Sequence, residues 1–160
     1  MQIHFSLNAP PFSVNKAYYK KSFTRTKECR EWGNDILFQL LDHHIQRDIE
    51  RFRLAFAKKK FSSVGMHIQF HIPQSVFYTK KGDISRRSMD LSNVEKLLID
   101  LIFDPRFCGR DLGDGELAKN LSMDDKLITK LISEKIPSKS HYKIDITLFF
   151  NEAKVDRNRF

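Results

Sequence analysis

The stretch Val64-Gly65-Met66-His67-Ile68-Gln69-Phe70-His71-Ile72-Pro73 decides how the chain is read. Val64, Met66, Ile68, Phe70 and Ile72 alternate strictly with Gly65, His67, Gln69 and His71. A period of two puts every apolar side chain on one face, so this is a half-buried strand, and Pro73 stops it. The same alternation opens the chain at Ile3, Phe5 and Leu7, where Pro10-Pro11 ends it. It returns near the end at Tyr142, Ile144, Ile146, Leu148 and Phe150.

Between the strands the apolar period lengthens. Cys29, Trp32, Ile36, Leu37, Leu40, Leu41, Ile45, Ile49, Phe52 and Phe56 recur at gaps of three and four, which predicts one long amphipathic helix. Thr24 or Thr26 would cap it, and Lys58-Lys59-Lys60 suit its negative C-terminal end. Val94, Leu97, Leu98, Leu101 and Ile102 predict a second helix from about Ser92 to Phe103. Residues 104–120, with Pro105, Gly109, Gly113 and Gly115, read as a long loop. Leu127 to Ile136 fits either period. The order of elements predicts an α+β fold: a small, mostly antiparallel or mixed sheet covered by two main helices. One domain spans residues 1–150, and residues 151–160 form a polar tail.

At 160 residues and 41% hydrophobic content, the composition is that of an ordinary soluble domain. No apolar run approaches the roughly 20 residues of a membrane span, and no secretory signal is visible at the N-terminus. The expected location is therefore the cytoplasm. Cys29 and Cys108 are too few for a disulfide framework and read as reduced thiols.

The charge is unevenly placed. Residues 1–89 carry a net +9, residues 90–125 a net −5 and residues 126–160 a net +4, within an overall +8. An acidic island would repel phosphate, unless a divalent cation bridges the two. Within it, a helix beginning near Ser92 puts Asn93, Lys96 and Asp100 on one face, opposite the apolar stripe, with Asp90 just before the first turn. The same spacing also fits a solvated face with an i,i+4 Lys96–Asp100 pair. Asp124-Asp125 adds further hard oxygen ligands, or else makes a turn or a cap. Such carboxylates suit Mg²⁺, and Lys96 is placed to stabilise charge on a phosphodiester in flight.

Asp-x-x-Asn-x-x-Lys-x-x-x-Asp with a later Asp-Asp resembles the RusA family of Holliday-junction endodeoxyribonucleases. Asp90, Asn93, Lys96, Asp100 and Asp124-Asp125 carry the match, together with Pro10-Pro11, Asn15 and Tyr18-Tyr19. The resemblance runs from about Ile3 to Phe150. It implies a homodimeric, Mg²⁺-dependent nuclease, with Mn²⁺ as a substitute and no small-molecule cofactor, that nicks four-way DNA junctions in the nucleoid of a bacterial or phage system. It also implies that Leu127–Ile136 is a strand and that Asp-Asp opens it.

On this resemblance Asp90, Asp100 and Asp125 hold the metal, Lys96 is catalytic with them, and Asn93, Asp124 and Ser92 support them. Asn15, Lys20, Lys21, Lys80, Lys81, Arg86 and Arg87 contact DNA. Many family members read Asp-x-Asp-Asn, where this chain has Asp90-Leu91-Ser92-Asn93. Asp100 is therefore expected as the third acid, with Asp124 in reserve because on a strand it would face away from Asp125. The loop between Asp100 and Asp124 is longer than the family pattern. Ser92 leaves open a structure-specific DNA-binding protein with weak or no nuclease activity. An RNA-binding module is the remaining alternative, although the aromatic signature of an RRM is missing.

Overall fold

The computed structural model describes residues 1–20, 22, 24–58 and 63–151. Four strands, β1 (Gln2–Leu7), β2 (Ser63–Pro73), β3 (Ile128–Ser138) and β4 (Lys143–Asn151), form one sheet in the order β1-β4-β2-β3. β4 is antiparallel to both β1 and β2, and β2 is parallel to β3. The helices are α1 (Lys27–Gln39), α2 (His43–Ala57), the single turn α3 (Gln74–Phe77) and α4 (Leu91–Phe103). The fold is α+β with a mixed sheet. Among the described residues, no helix is long and apolar enough to cross a membrane.

The alternating residues behave as their pattern requires. Ile3, Phe5 and Leu7, Met66, Ile68, Phe70 and Ile72, and Ile144, Ile146 and Leu148 are all buried, and they meet the apolar stripes of α1, α2 and α4. Each such side chain contributes roughly 1.5–3 kcal/mol. Trp32 donates its indole N–H to the Pro10 carbonyl at 2.8 Å, which fixes the turn after β1 against α1.

The single long helix predicted over Cys29–Phe56 is two helices. α1 ends at Gln39, with Leu40 as its cap. Asp42 then starts α2 by accepting from the backbone N–H groups of His44 (2.9 Å) and Ile45 (3.3 Å). Leu37, Leu41 and Ile45 keep a spacing of four across the corner, so hydrophobic periodicity alone does not reveal it. Thr26 is the cap of α1, accepting from the Cys29 N–H at 3.2 Å. Lys59 and Lys60 lie outside the described residues, as do residues 152–160 of the tail. Asp42→Ala removes the cap that divides the helices and is expected to cost about 1 kcal/mol in a urea titration.

The polar face of the sheet carries paired histidines. His67 meets Glu134 at 2.6 Å, and His71 meets Asp145 at 2.7 Å. Burial pushes the Asp145 carboxyl up. Hydrogen bonds from Ser6, Lys143 and His71 outweigh this and hold it below the ordinary carboxylate range.

Candidate active-site cleft

α4 runs as predicted, with Val94, Leu97, Leu98, Leu101 and Ile102 buried and Lys96 and Asp100 on the outer side. Asn120 holds the rest of the site to the end of this helix. Its buried amide donates to the carbonyls of Leu101 (2.8 Å) and Asp104 (2.9 Å), and its oxygen accepts from the Ser122 N–H at 2.9 Å. Two backbone bonds continue the seam: Leu121 N–H to Ile102 and Met123 N–H to Phe103, both at 2.8 Å. The last carbonyls of a helix otherwise lack partners, so this segment both caps α4 and brings Asp124-Asp125 alongside Asp100.

The result is a cleft of about 530 Å³ lined by Tyr18, Lys96, Asp100, Asp104, Pro105, Arg106, Met123, Asp124 and Asp125. Asp100 is half-buried. Burial is the main cause that pushes its carboxyl above the ordinary range. Lys96 and Arg25 pull the other way, while the charges of Asp125 and Asp104 add to the rise. Asp104 is held low by Arg106, whose guanidinium grips it with contacts of 2.6–3.1 Å. Arg25 stacks over the Phe107 ring, 4.6 Å from its centroid. Tyr18 brings the loop after β1 to the cleft wall.

Asp100, Asp124, Asp125 and Lys96 thus share one cleft. Asp124 is not on a strand, contrary to the expectation that set it facing away from Asp125. Asp125 opens a 3-10 turn, Asp125–Leu127, before β3 begins at Ile128, and Asp124 caps that turn by accepting from the Lys126 N–H at 3.0 Å. Both residues line the cleft, and strand alternation starts only after them.

Asp90 is exposed at the N-terminal end of α4, makes no side-chain capping bond and does not line the cleft. Ten residues of helix separate it from Asp100, about 15 Å along the axis. Asn93 is half-buried and Ser92 exposed, and neither lines the cleft. Met89, just before Asp90, has φ 59° and ψ 161°, a conformation that glycine normally supplies. Lys135 of β3 stabilises that bend by donating to the Met89 carbonyl at 2.9 Å.

Of the proposed DNA contacts, Asn15, Lys20, Lys80, Lys81, Arg86 and Arg87 are exposed. Arg87 also donates to the Ser75 carbonyl at 2.9 Å and so braces its own loop. Lys21 lies outside the described residues. Asp104, Arg106, Arg25 and Asn120 were not singled out in the sequence. The only signal for them was the Asp-Pro-Arg turn and an asparagine at the end of a glycine-rich loop.

Among the described residues, no three acidic, histidine or cysteine side chains converge at metal-ligand spacing. The chemistry of the donor set still suits Mg²⁺, which holds to one or two carboxylates and otherwise keeps its waters and takes phosphate oxygens. No family model matches the chain, and no curated protein matches it.

Proposed function

We propose that this protein is a divalent-cation-dependent endodeoxyribonuclease that acts on branched DNA, four-way junctions in particular. The observation that carries this reading is the cleft in which Lys96, Asp100, Asp124 and Asp125 meet within a chain of net charge +8. Asp100 and Asp125 would hold Mg²⁺, with Asp124 beside them. Bound there, the ion would supply an activated water and neutralise charge on the scissile phosphate. The Lys96 ammonium stabilises the negative charge that builds on the phosphoryl oxygens during the displacement. Lysines and arginines of the loops at 15–20 and 80–87 hold the flanking backbone. A homodimer would match the two-fold symmetry of a junction nicked on two strands.

A second reading, a junction-binding protein with weak or no cleavage, draws on Ser92 and on the distance between Asp90 and the cleft. Labelled four-way junction, linear duplex and RNA hairpin, each incubated with and without Mg²⁺, separate the possibilities. Cleavage of the junction alone, and only with the cation, is the expected outcome. Binding without cleavage at any Mg²⁺ or Mn²⁺ concentration favours the second reading, and preferential cutting of the hairpin overturns both. Lys96→Ala is expected to lower single-turnover cleavage by about 10²-fold while junction affinity changes less than threefold, because its charge acts in the transition state. A large affinity loss with normal cleavage would make Lys96 an ordinary phosphate contact.

A further inference from the structure

The cleft leaves the opposite edge of the molecule unexplained. Among the described residues, β1 is the outer strand of the sheet and β4 is its one strand partner. The Phe150 N–H donates to the Met1 carbonyl, so in an antiparallel ladder Ile3, Phe5 and Leu7 aim their backbone groups at β4, and Gln2, His4 and Ser6 aim theirs outward. Asn8 is next in that outward series. Its N–H donates to Gln39 Oε1 at 2.7 Å, and its carbonyl accepts from Gln39 Nε2 at 3.1 Å. The side-chain amide thus pairs with the edge as one residue of a neighbouring strand would, and the edge continues beyond it at Ser6 and His4.

Along this edge runs a groove of about 820 Å³ between β1 and the corner that joins α1 to α2. Phe38, 56% exposed, lies with Leu41 and Ile45 along it, and Asp42, Asp48 and Glu116 are its acidic residues, Asp48 being shared with Arg47 at 3.5 Å and Arg51 at 3.9 Å on its own helix. Among the described residues, no lysine or arginine lines it, although the chain carries 28. Glu116 has no ion-pair partner among the described residues. The groove shares no lining residue with the cleft.

We propose that this groove takes an extended, basic segment of a partner protein, added to the sheet as a fifth strand beside β1. Outward backbone groups supply the ladder bonds. Phe38 and Ile45 receive alternate apolar side chains, and the carboxylates receive lysine or arginine. Nucleic acid is disfavoured because three acidic residues and, among the described residues, no lysine or arginine line the groove. A second copy of β1 is disfavoured because it brings the same carboxylates. The other open edge, β3, carries Lys130 and Lys135 and has the wrong sign for such a segment. This inference stands whether or not the cleft is a nuclease site.

The test uses the full chain, ¹⁵N-labelled, with a ten-residue peptide of alternating valine and lysine as the probe. At saturation, amide exchange at His4 and Ser6 should slow by about tenfold or more. The same peptide with N-methyl groups on alternate residues should give no such protection. The double variant Asp48→Lys/Glu116→Lys should bind at least about fivefold more weakly, the effect of roughly 1 kcal/mol of lost ion pairing. Phe38→Ala tests the apolar wall separately and should weaken binding with the fold intact, because Phe38 is exposed. Equal binding by the N-methylated peptide, by a valine–glutamate peptide or by the double variant would overturn the proposal. Protection along β3, or protection of His4 and Ser6 by duplex DNA, would overturn it as well.

Discussion

Asp125→Asn and Asp100→Asn are each expected to reduce Mg²⁺-dependent cleavage of a four-way junction by about 10³-fold, with binding unchanged or tighter. The loss reflects several kcal/mol of cation-dependent stabilisation. The retained affinity follows from removing a negative charge that faces phosphate. Asp100→Asn carries a second signature. Burial and the charges of Asp125 and Asp104 hold its carboxyl above the ordinary range. A carboxyl raised in this way opposes folding once pH exceeds its unfolded value, and the opposition is complete above its folded value. At neutral pH the neutral amide should therefore raise Tm, by about 1–3 °C. A variant that gains stability as it loses activity marks a carboxylate kept for chemistry, whereas a merely structural Asp100 would lose stability when changed. Single-turnover cleavage and a thermal melt of the same preparation read both. Cleavage at the wild-type rate by either variant would remove the cation from this cleft. A loss at Asp90→Asn as large as that at Asp125→Asn would place it instead at the N-terminal end of α4.

Asn120→Ala is expected to destabilise the fold by about 2–4 kcal/mol. The variant loses three hydrogen bonds and leaves the Leu101 carbonyl buried without a side-chain partner, at roughly 1–3 kcal/mol for an unsatisfied group beyond the bonds themselves. The same bonds tie residues 120–123 to α4, so Asp124 and Asp125 should lose their fixed distance from Asp100. At a temperature where the variant remains folded, cleavage should fall by about tenfold or more, with the Mg²⁺ concentration for half-maximal rate increased. Asn120→Asp keeps the acceptor for Ser122 but cannot donate to either carbonyl, and it should resemble alanine. Urea denaturation together with a magnesium titration checks both effects. Unchanged stability would mean that the segment is held by Leu121 and Met123 alone.

How much of this was legible depended on whether a feature is local. β1, β2 and β4 were readable because each has one face on the core and alternates cleanly. β3 was ambiguous for a physical reason: as an edge strand it is exposed on both sides, with Leu131 and Ile132 each 39% exposed, and its sequence keeps no strict period. Its parallel pairing with β2 is a long-range property that no short window contains. The α1–α2 corner was hidden because the apolar stripe continues through it, and Asp42, the residue that marks it, reads as one more polar position. In the site, Lys96 and Asp100 followed from helical geometry. The neighbourhood of Asp124 and Asp125 depended on Asn120, whose partners lie 16 and 19 residues earlier in the chain.

The strand order has a consequence for the way the molecule is made. β1 is the first of the described elements along the chain, yet its strand partner is β4, the last of them. Until β4 leaves the ribosome, Ile3, Phe5 and Leu7 have no ladder to join, and β2 has β3 on one side and nothing on the other. Loop closure from β1 to β4 precedes completion of the sheet, so folding should be slow for a domain of this size. A chain stopped before Lys143 would leave both edges of β1 and one edge each of β2 and β3 open, against two open edges in the completed sheet, and should associate through those edges more readily.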